Sequence, residues 1–144
     1  MGLSDAFDIS YSGILANRLH MEVIASNIAN INTTKTSSGL PYVKKSVVYS
    51  EVPFSTELDK AIDRREKLLK GGVEAKVVED YSNPMPIVYN PGHPDADERG
   101  YVRLPNVSLP SEMADMVYVS KLYEANIAVL NSTKKMASDT LQIQ

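Results

Sequence analysis

The sequence predicts an α+β chain, with long N- and C-terminal helices forming a coiled-coil-like pair and a small β-rich middle segment. Three observations predict it. All eight prolines lie between Pro41 and Pro110, so both ends lack the residue that removes a helix donor and clashes with the preceding turn. Apolar residues recur every seven positions at both ends. Between them, short Val- and Tyr-rich stretches follow the alternation of a strand. The chain divides accordingly into residues 1–34, 35–110 and 111–144.

The first segment carries Phe7, Ile14, Met21 and Ile28 at heptad spacing. A companion seam reads Ser10, Asn17, Ile24 and Ile31, and is only half apolar. Leu15 and Leu19 fall off this stripe, so the helix is expected to be covered on more than one side. Its charges are few: Asp5, Asp8, Arg18 and Glu22 among the first 34 residues. A solitary surface helix normally has a charged outer face, and something other than water is expected to cover this one.

The middle begins with Tyr42–Tyr49, rich in Val and Tyr, as a strand. Val73, Ala75 and Val77 alternate with Glu74 and Lys76 as a second, and Ile87-Val88-Tyr89 is a third. A charged helix is expected over Thr56–Lys70, with Leu58, Ile62 and Leu69 on one face and Gly71-Gly72 ending it. Residues 83–94 hold four prolines and are expected to form an ordered loop or extended arm.

The C-terminal segment has two candidate seams. One reads Met113, Ser120, Ile127, Lys134, Leu141; the other reads Met116, Tyr123, Leu130, Ala137, Gln144. A pattern this long supports a coiled-coil reading. Ser108 is placed to cap the helix, and Pro110 suits its first turn, where no amide hydrogen is needed.

Composition excludes several function classes. The 144 residues suit one domain. Fifteen Lys and Arg against eighteen Asp and Glu give a net charge of −3, the wrong sign for a general nucleic-acid binder. With no cysteine, disulfides, thiolate catalysis and Cys-ligated zinc are out. No apolar run approaches the roughly 18 residues of a membrane span, and the opening residues lack the basic and apolar regions of a secretory signal. Asp95, Asp97 and Gly100 match part of a calcium loop, but Arg99 and Asn106 stand where ligands belong. The histidines, His20 and His93, make no triad spacing, and there is no glycine-rich phosphate loop. No catalytic residue, cofactor, metal or small-molecule substrate is expected.

One stretch resists a purely local account. Asn27, Asn30 and Asn32 stand at a helix end, although asparagine competes with the helix for backbone groups. The sequence leaves two readings open: an Asn-capped terminus, or amides that hydrogen-bond between helices and fix register. Asn126 is a third register candidate.

At these residues the chain resembles the bacterial flagellar rod and hook proteins. Leu15-Ala16-Asn17-Arg18-Leu19 and Ile24-Ala25-Ser26-Asn27-Ile28-Ala29-Asn30-Ile31-Asn32-Thr33-Thr34 are similar to their N-terminal signature. Tyr123-Glu124-Ala125-Asn126, with Leu130, Asn131 and Lys134, is similar to their C-terminal one. Pro41-Tyr42-Val43-Lys44-Lys45 and the stretch from Tyr89 to Val107, with Pro91-Gly92-His93-Pro94-Asp95 at its centre, resemble one rod member of that family. The sequence departs at Gly39-Leu40, where the family often has Gly-Gly, and at Ser108-Leu109-Pro110, where the proline is shifted by one.

The resemblance implies a structural subunit, not an enzyme. It implies export by the flagellar type III apparatus, for which a missing cleavable signal is expected, and residence in the periplasmic rod. The implied partners are copies of the chain and other rod proteins. The helices would form an inner-tube core by packing through Phe7, Ile14, Met21, Ile24, Ile28, Met116, Tyr123, Ile127 and Leu130. The loop at Pro91, Gly92, His93, Pro94 and Asp95 would be a rigid subunit contact. The competing expectations are another axial protein, or a soluble helical adaptor or divalent-metal module.

Overall fold

The structure is a computed structural model that describes residues 3–51 and 72–142, with side chains at 6–51 and 72–140. The charged helix expected at Thr56–Lys70 lies outside the described residues. Among the described residues, two long helices bracket four strands. Helix α1 spans Leu3–Ala29 and helix α2 spans Leu109–Gln142. Strands β1 (Lys45–Glu51) and β2 (Val73–Glu79) pair in one two-stranded sheet; β3 (Ile87–Tyr89) and β4 (Tyr101–Arg103) pair in another. Both helices occupy proline-free sequence apart from Pro110 in the first turn of α2, where its missing amide hydrogen costs nothing.

The chain folds as two compact units. The first contains, of the described residues, 3–19, 48–51, 72–76 and 119–142. Its buried residues include Ser12, Ala16, Asn17 and Val119. The Ser12 hydroxyl donates to the Ile9 carbonyl at 2.7 Å and accepts from the Val73 amide at 3.1 Å, which fixes the start of β2 on α1. Gly13 faces Asn126: a Cβ there would lie 3.3 Å from the Asn126 Nδ2. The missing side chain lets the Asn126 amide approach the α1 backbone.

The second unit contains residues 20–47 and 77–118. Its core is small and mixed: Val23, Ile24, Tyr42 and Val102 with Asn27, Asn106 and Glu112. The β3–β4 pair is an antiparallel hairpin in which Ile87 faces Arg103, Val88 faces Val102 and Tyr89 faces Tyr101. Alternation across the strands buries Val102 and exposes Ile87, Tyr89 and Tyr101. The Tyr89 and Tyr101 rings meet edge to face at 5.3 Å.

The heptads of α2 sort into an inner and an outer set. Met116, Tyr123, Leu130 and Ala137 are half-buried, as one predicted seam requires. The other predicted seam holds in part: Ser120 and Ile127 are half-buried, but Met113 and Lys134 are exposed. Beside it, Glu112 and Val119 are buried and Asn126 and Thr133 are half-buried. In α1 the exposed positions Asp8, Tyr11, Leu15, Arg18, Glu22 and Ala25 form one stripe, which gathers the helix's few described charges.

Candidate functional site

The densest set of buried polar groups in the second unit is built around Asn27. Its side chain is 1% exposed, and every donor and acceptor of its amide is used. Nδ2 donates to the Lys45 carbonyl at 2.8 Å and to Glu112 Oε2 at 2.9 Å. Oδ1 accepts from the Lys45 amide at 2.9 Å and from the Tyr42 hydroxyl at 2.9 Å. One amide on α1 therefore satisfies both backbone groups at the first residue of β1 and ties α1 to α2.

A second asparagine completes the arrangement. Asn106 Oδ1 accepts from the Lys44 amide at 2.8 Å, and its Nδ2 donates to the carbonyls of Asp80 at 2.7 Å and Asn83 at 3.2 Å. The Lys44 carbonyl accepts from the Asp80 amide at 2.8 Å. All four backbone polar groups of Lys44-Lys45 thus have partners, as buried backbone demands. Asp80 is itself engaged by the Ser82 amide and the Ser46 hydroxyl. Hydrogen bonding from Ser82 holds the Asp80 carboxyl below the usual range.

Glu112 brings a charge into this set and is 1% exposed. The Lys44 ammonium lies 2.7 Å from its Oε1. That contact is a close ion pair, and no other donor reaches Oε1. Burial works to lower the Lys44 pKa, but attraction from the Glu112 carboxylate, helped by Asp115 and Asp80, outweighs it and raises it. Burial lowers the His20 pKa; Asp115 and Glu112 oppose that shift and Lys44 adds to it.

The other asparagines at the helix end do different work. Asn30 Nδ2 donates to the Ser26 carbonyl at 2.8 Å and its Oδ1 accepts from the Thr33 hydroxyl at 3.2 Å. The Ser26 carbonyl also accepts from the Asn30 amide at 3.1 Å, so these bonds close the last turn of α1 locally. Asn32 is exposed. Asn30 thus bonds within its own turn, whereas the Asn27 amide donates to Glu112 on α2.

The remaining predicted site residues are spread along the chain. Ile24 is buried, while Phe7, Ile14, Met21, Ile28, Met116, Tyr123, Ile127 and Leu130 are half-buried. Glu124 is exposed and pairs with Lys121 at 2.7 Å, and Ala125 is exposed beside it. In the loop, Pro91, Gly92, Pro94 and Asp95 are exposed and His93 is half-buried. The loop is held by its own bonds. The Asn90 amide donates to the Gly100 carbonyl at 2.8 Å, and Asp97 Oδ1 accepts from the amides of Arg99 and Tyr101. Asp95 Oδ2 accepts from the Thr34 hydroxyl at 2.6 Å. Asp97, a ligand position of the partial calcium pattern, thus serves as an intraloop acceptor. Gly100 has φ +82° and is packed so closely that a Cβ would lie 2.9 Å from the Tyr89 ring.

Sequence reading missed Tyr42, Asn106 and Glu112 as members of the Asn27 set. Glu112 carried a signal of another kind, since an acid in the first turn of a helix complements its dipole. Among the described residues, no group of three or more His, Asp or Glu is placed to hold a metal ion, and no helix is long and apolar enough to cross a membrane.

Two family models match the chain. One, described as flagella basal body rod protein, matches residues 7–35. The other, described as flagellar basal body rod FlgEFG protein C-terminal, matches residues 98–143. The chain is 36% identical to a flagellar basal-body rod protein FlgC of Borreliella burgdorferi over 99% of its own length and 98% of the relative. It has the same identity and coverage with a protein of that name from Salmonella typhimurium. It is 35% identical to one from Bacillus subtilis over 96% of the chain and 95% of the relative. The matched segments contain most of α1, with Asn27, and all but the final residue of the C-terminal segment, with Asn106 and Glu112; Tyr42, Lys44 and Lys45 lie between them.

Proposed function

The chain belongs to the FlgC family of flagellar basal-body rod proteins, and from that membership we propose that it assembles into the rod by helix bundling through an exposed apolar seam of α2. It is a structural subunit of the basal-body rod, not an enzyme. The observation that carries the assembly reading is the outer stripe of α2. Tyr118, Leu122, Ala125, Val129, Ser132 and Met136 follow one another at alternating spacings of four and three, and all are exposed. A second heptad seam on a helix that already has a half-buried one needs a second partner. On α1, Tyr11 and Leu15 are exposed within the outer stripe.

In this reading, the flagellar type III apparatus exports the chain. Copies of it and other rod proteins then cover the outer seams of α1 and α2. The helices form the inner-tube core, residues 35–110 make lateral contacts, and the Pro91–Asp95 loop is one of them. Burial of apolar seam at ~25 cal/mol per Å² offsets the ordering of the subunits, and many such contacts in parallel carry torque across the periplasm. Packing residues Phe7, Ile14, Met21, Ile28, Met116, Tyr123, Ile127 and Leu130 support the helices from the inner side, and Asn27 and Asn126 set register.

The test is mass spectrometry of purified hook–basal bodies. The chain is expected in fixed proportion to the other rod proteins, and the double variant Leu122→Glu with Val129→Asp is expected to be exported but absent from the particles. Particles complete without the unsubstituted chain overturn the rod reading. Normal incorporation of the double variant overturns seam bundling alone.

A further inference from the structure

The second unit has an open cleft of about 710 Å³ between the turn after α1, the loop before β4 and the β3–β4 hairpin. Its apolar surface comes from Leu40, Ile87 and Tyr101, with Leu40 and Ile87 62% and 60% exposed. Ile87 and Tyr101 share the outward face of the hairpin with Tyr89, so the apolar patch is contiguous rather than scattered, the kind of surface that marks an interaction site. Lys35, Arg99 and Arg103 also line the cleft. Among the described residues none of the three forms an ion pair.

The carboxylates in the cleft are already engaged. Asp95 accepts from Thr34 and Asp97 from two loop amides. The lining therefore carries three cations against two carboxylates, an excess of positive charge beside apolar surface in a chain whose net charge is −3. The cleft is also stiff. Thr36 and Leu40 are tied by an amide and a hydroxyl bond to one carbonyl at 2.8 Å each, and the Thr34–Asp95 bond joins its two loops. A stiff site loses less freedom when a partner docks.

We propose that this cleft is a docking site for a segment of an adjoining protein subunit that carries Asp or Glu beside an apolar anchor. The anchor covers Leu40, Ile87 and Tyr101, and the partner's carboxylates pair with Lys35, Arg99 and Arg103. Arginine suits this role because its planar fork matches a carboxylate in two-point geometry. The inference rests on the rod reading for the presence of adjoining subunits.

The experiment places a photoreactive amino acid at position 40 of the full chain in cells, followed by isolation of hook–basal bodies and identification of the cross-linked peptide. The expected adduct is a protein segment with Asp or Glu within a few residues of the linkage. Charge reversal at Lys35→Glu, Arg99→Glu and Arg103→Glu is expected to lower the adduct about tenfold, and Arg99→Lys with Arg103→Lys, which keep the charge but lose the fork, to lower it less. If the reversed chain fails to fold, Arg99→Gln with Arg103→Gln takes its place, with a smaller loss in the same direction. A cross-linked segment without carboxylates, a lipid or nucleic-acid adduct, an adduct undiminished by charge removal, or no adduct from particles that contain the chain each overturns the docking site while the rod reading stands. Absence of the unsubstituted chain from the particles overturns both.

Discussion

Asn27 and Val129 sit on the two long helices in opposite circumstances. Asn27 is 1% exposed, and all four hydrogen-bonding positions of its amide are filled from within the chain. Val129 is 54% exposed, and with Leu122 and Met136 it leaves an apolar stripe open to water. Polarity is inverted relative to the usual arrangement, with an amide and a carboxylate inside and valine and methionine outside. The difference teaches which contacts the chain completes alone. Directional bonds around Asn27 fix one arrangement of α1, β1 and α2, because a buried polar group without its partner is costly. Apolar contact on the outer seam of α2 has no such geometric demand and can be made with another subunit.

The largest expected effect comes from breaking the inner side of this comparison. Asn27→Leu strands the Lys45 amide and carbonyl, the Tyr42 hydroxyl and Glu112 Oε2, and should cost about 3 kcal/mol or more, read as a lower urea midpoint. Next is Glu112→Gln, which leaves the half-buried Lys44 ammonium without its anion and should cost roughly 2 kcal/mol. The same variant has a pH signature. The Lys44 pKa is raised from its ordinary 10.5, so its contribution is fully present below that value and is lost as pH rises through the raised one. Unfolding curves of the unsubstituted chain should therefore weaken on the alkaline side, and those of Glu112→Gln should weaken less.

Gly100→Ala is smaller, about 1–2 kcal/mol, because φ +82° disfavours a side chain and the new Cβ would meet the Tyr89 ring at 2.9 Å. Smaller again is the acid side. The His20 pKa is lowered from 6.5, so the stability it contributes is complete above 6.5 and is lost as pH falls through the lowered value. His20→Gln should flatten that slope in a denaturation series from pH 7 to 5. The smallest effect sharpens the comparison from its outer side. Val129→Asp should change the stability of the free chain by less than about 0.5 kcal/mol, although the same position is placed in the assembly seam. A large loss in the free chain would show that Val129 is covered by its own subunit.

Much of this was legible in the sequence because helices and strands leave periodic traces. The absence of proline from both ends gave the helices their room, and Ile87-Val88-Tyr89 forms the strand its composition suggests. β1 begins at Lys45 rather than Tyr42, because the Tyr42 amide donates to the Thr33 carbonyl and the Lys44 amide to the Asn106 side chain instead of to a neighbouring strand. The α2 seam that starts at Met113 departs from its sequence pattern for a physical reason. Met113 is apolar and looks buried but is exposed, whereas its neighbour Glu112 is buried, and Asn126 is half-buried beside Ile127. A pattern of hydrophobicity assigns polar residues to water. Their burial is set by partners distant in sequence, Asn27 and Lys44 for Glu112 and Gly13 for Asn126, which no local spacing encodes. The Asn27 site shows the same limit: three asparagines at a helix end read alike, and only the approach of residues 42, 45 and 112 separates the buried one from the cap and the exposed one.

The Asn27–Glu112 bond joins residues 85 apart, and this separation sets an order of events. Local turns, including the one closed by Asn30, are available as soon as their own residues are made. The Asn27 amide cannot meet Glu112 until most of the chain is present, and contacts of such long range form late because their loop must close first. α1 therefore cannot complete its polar face alone. During that interval its amide face, later sealed by Tyr42, Lys45 and Glu112, still has unfilled hydrogen-bonding positions, and whatever accompanies the young chain meets a different surface from the one the finished subunit shows.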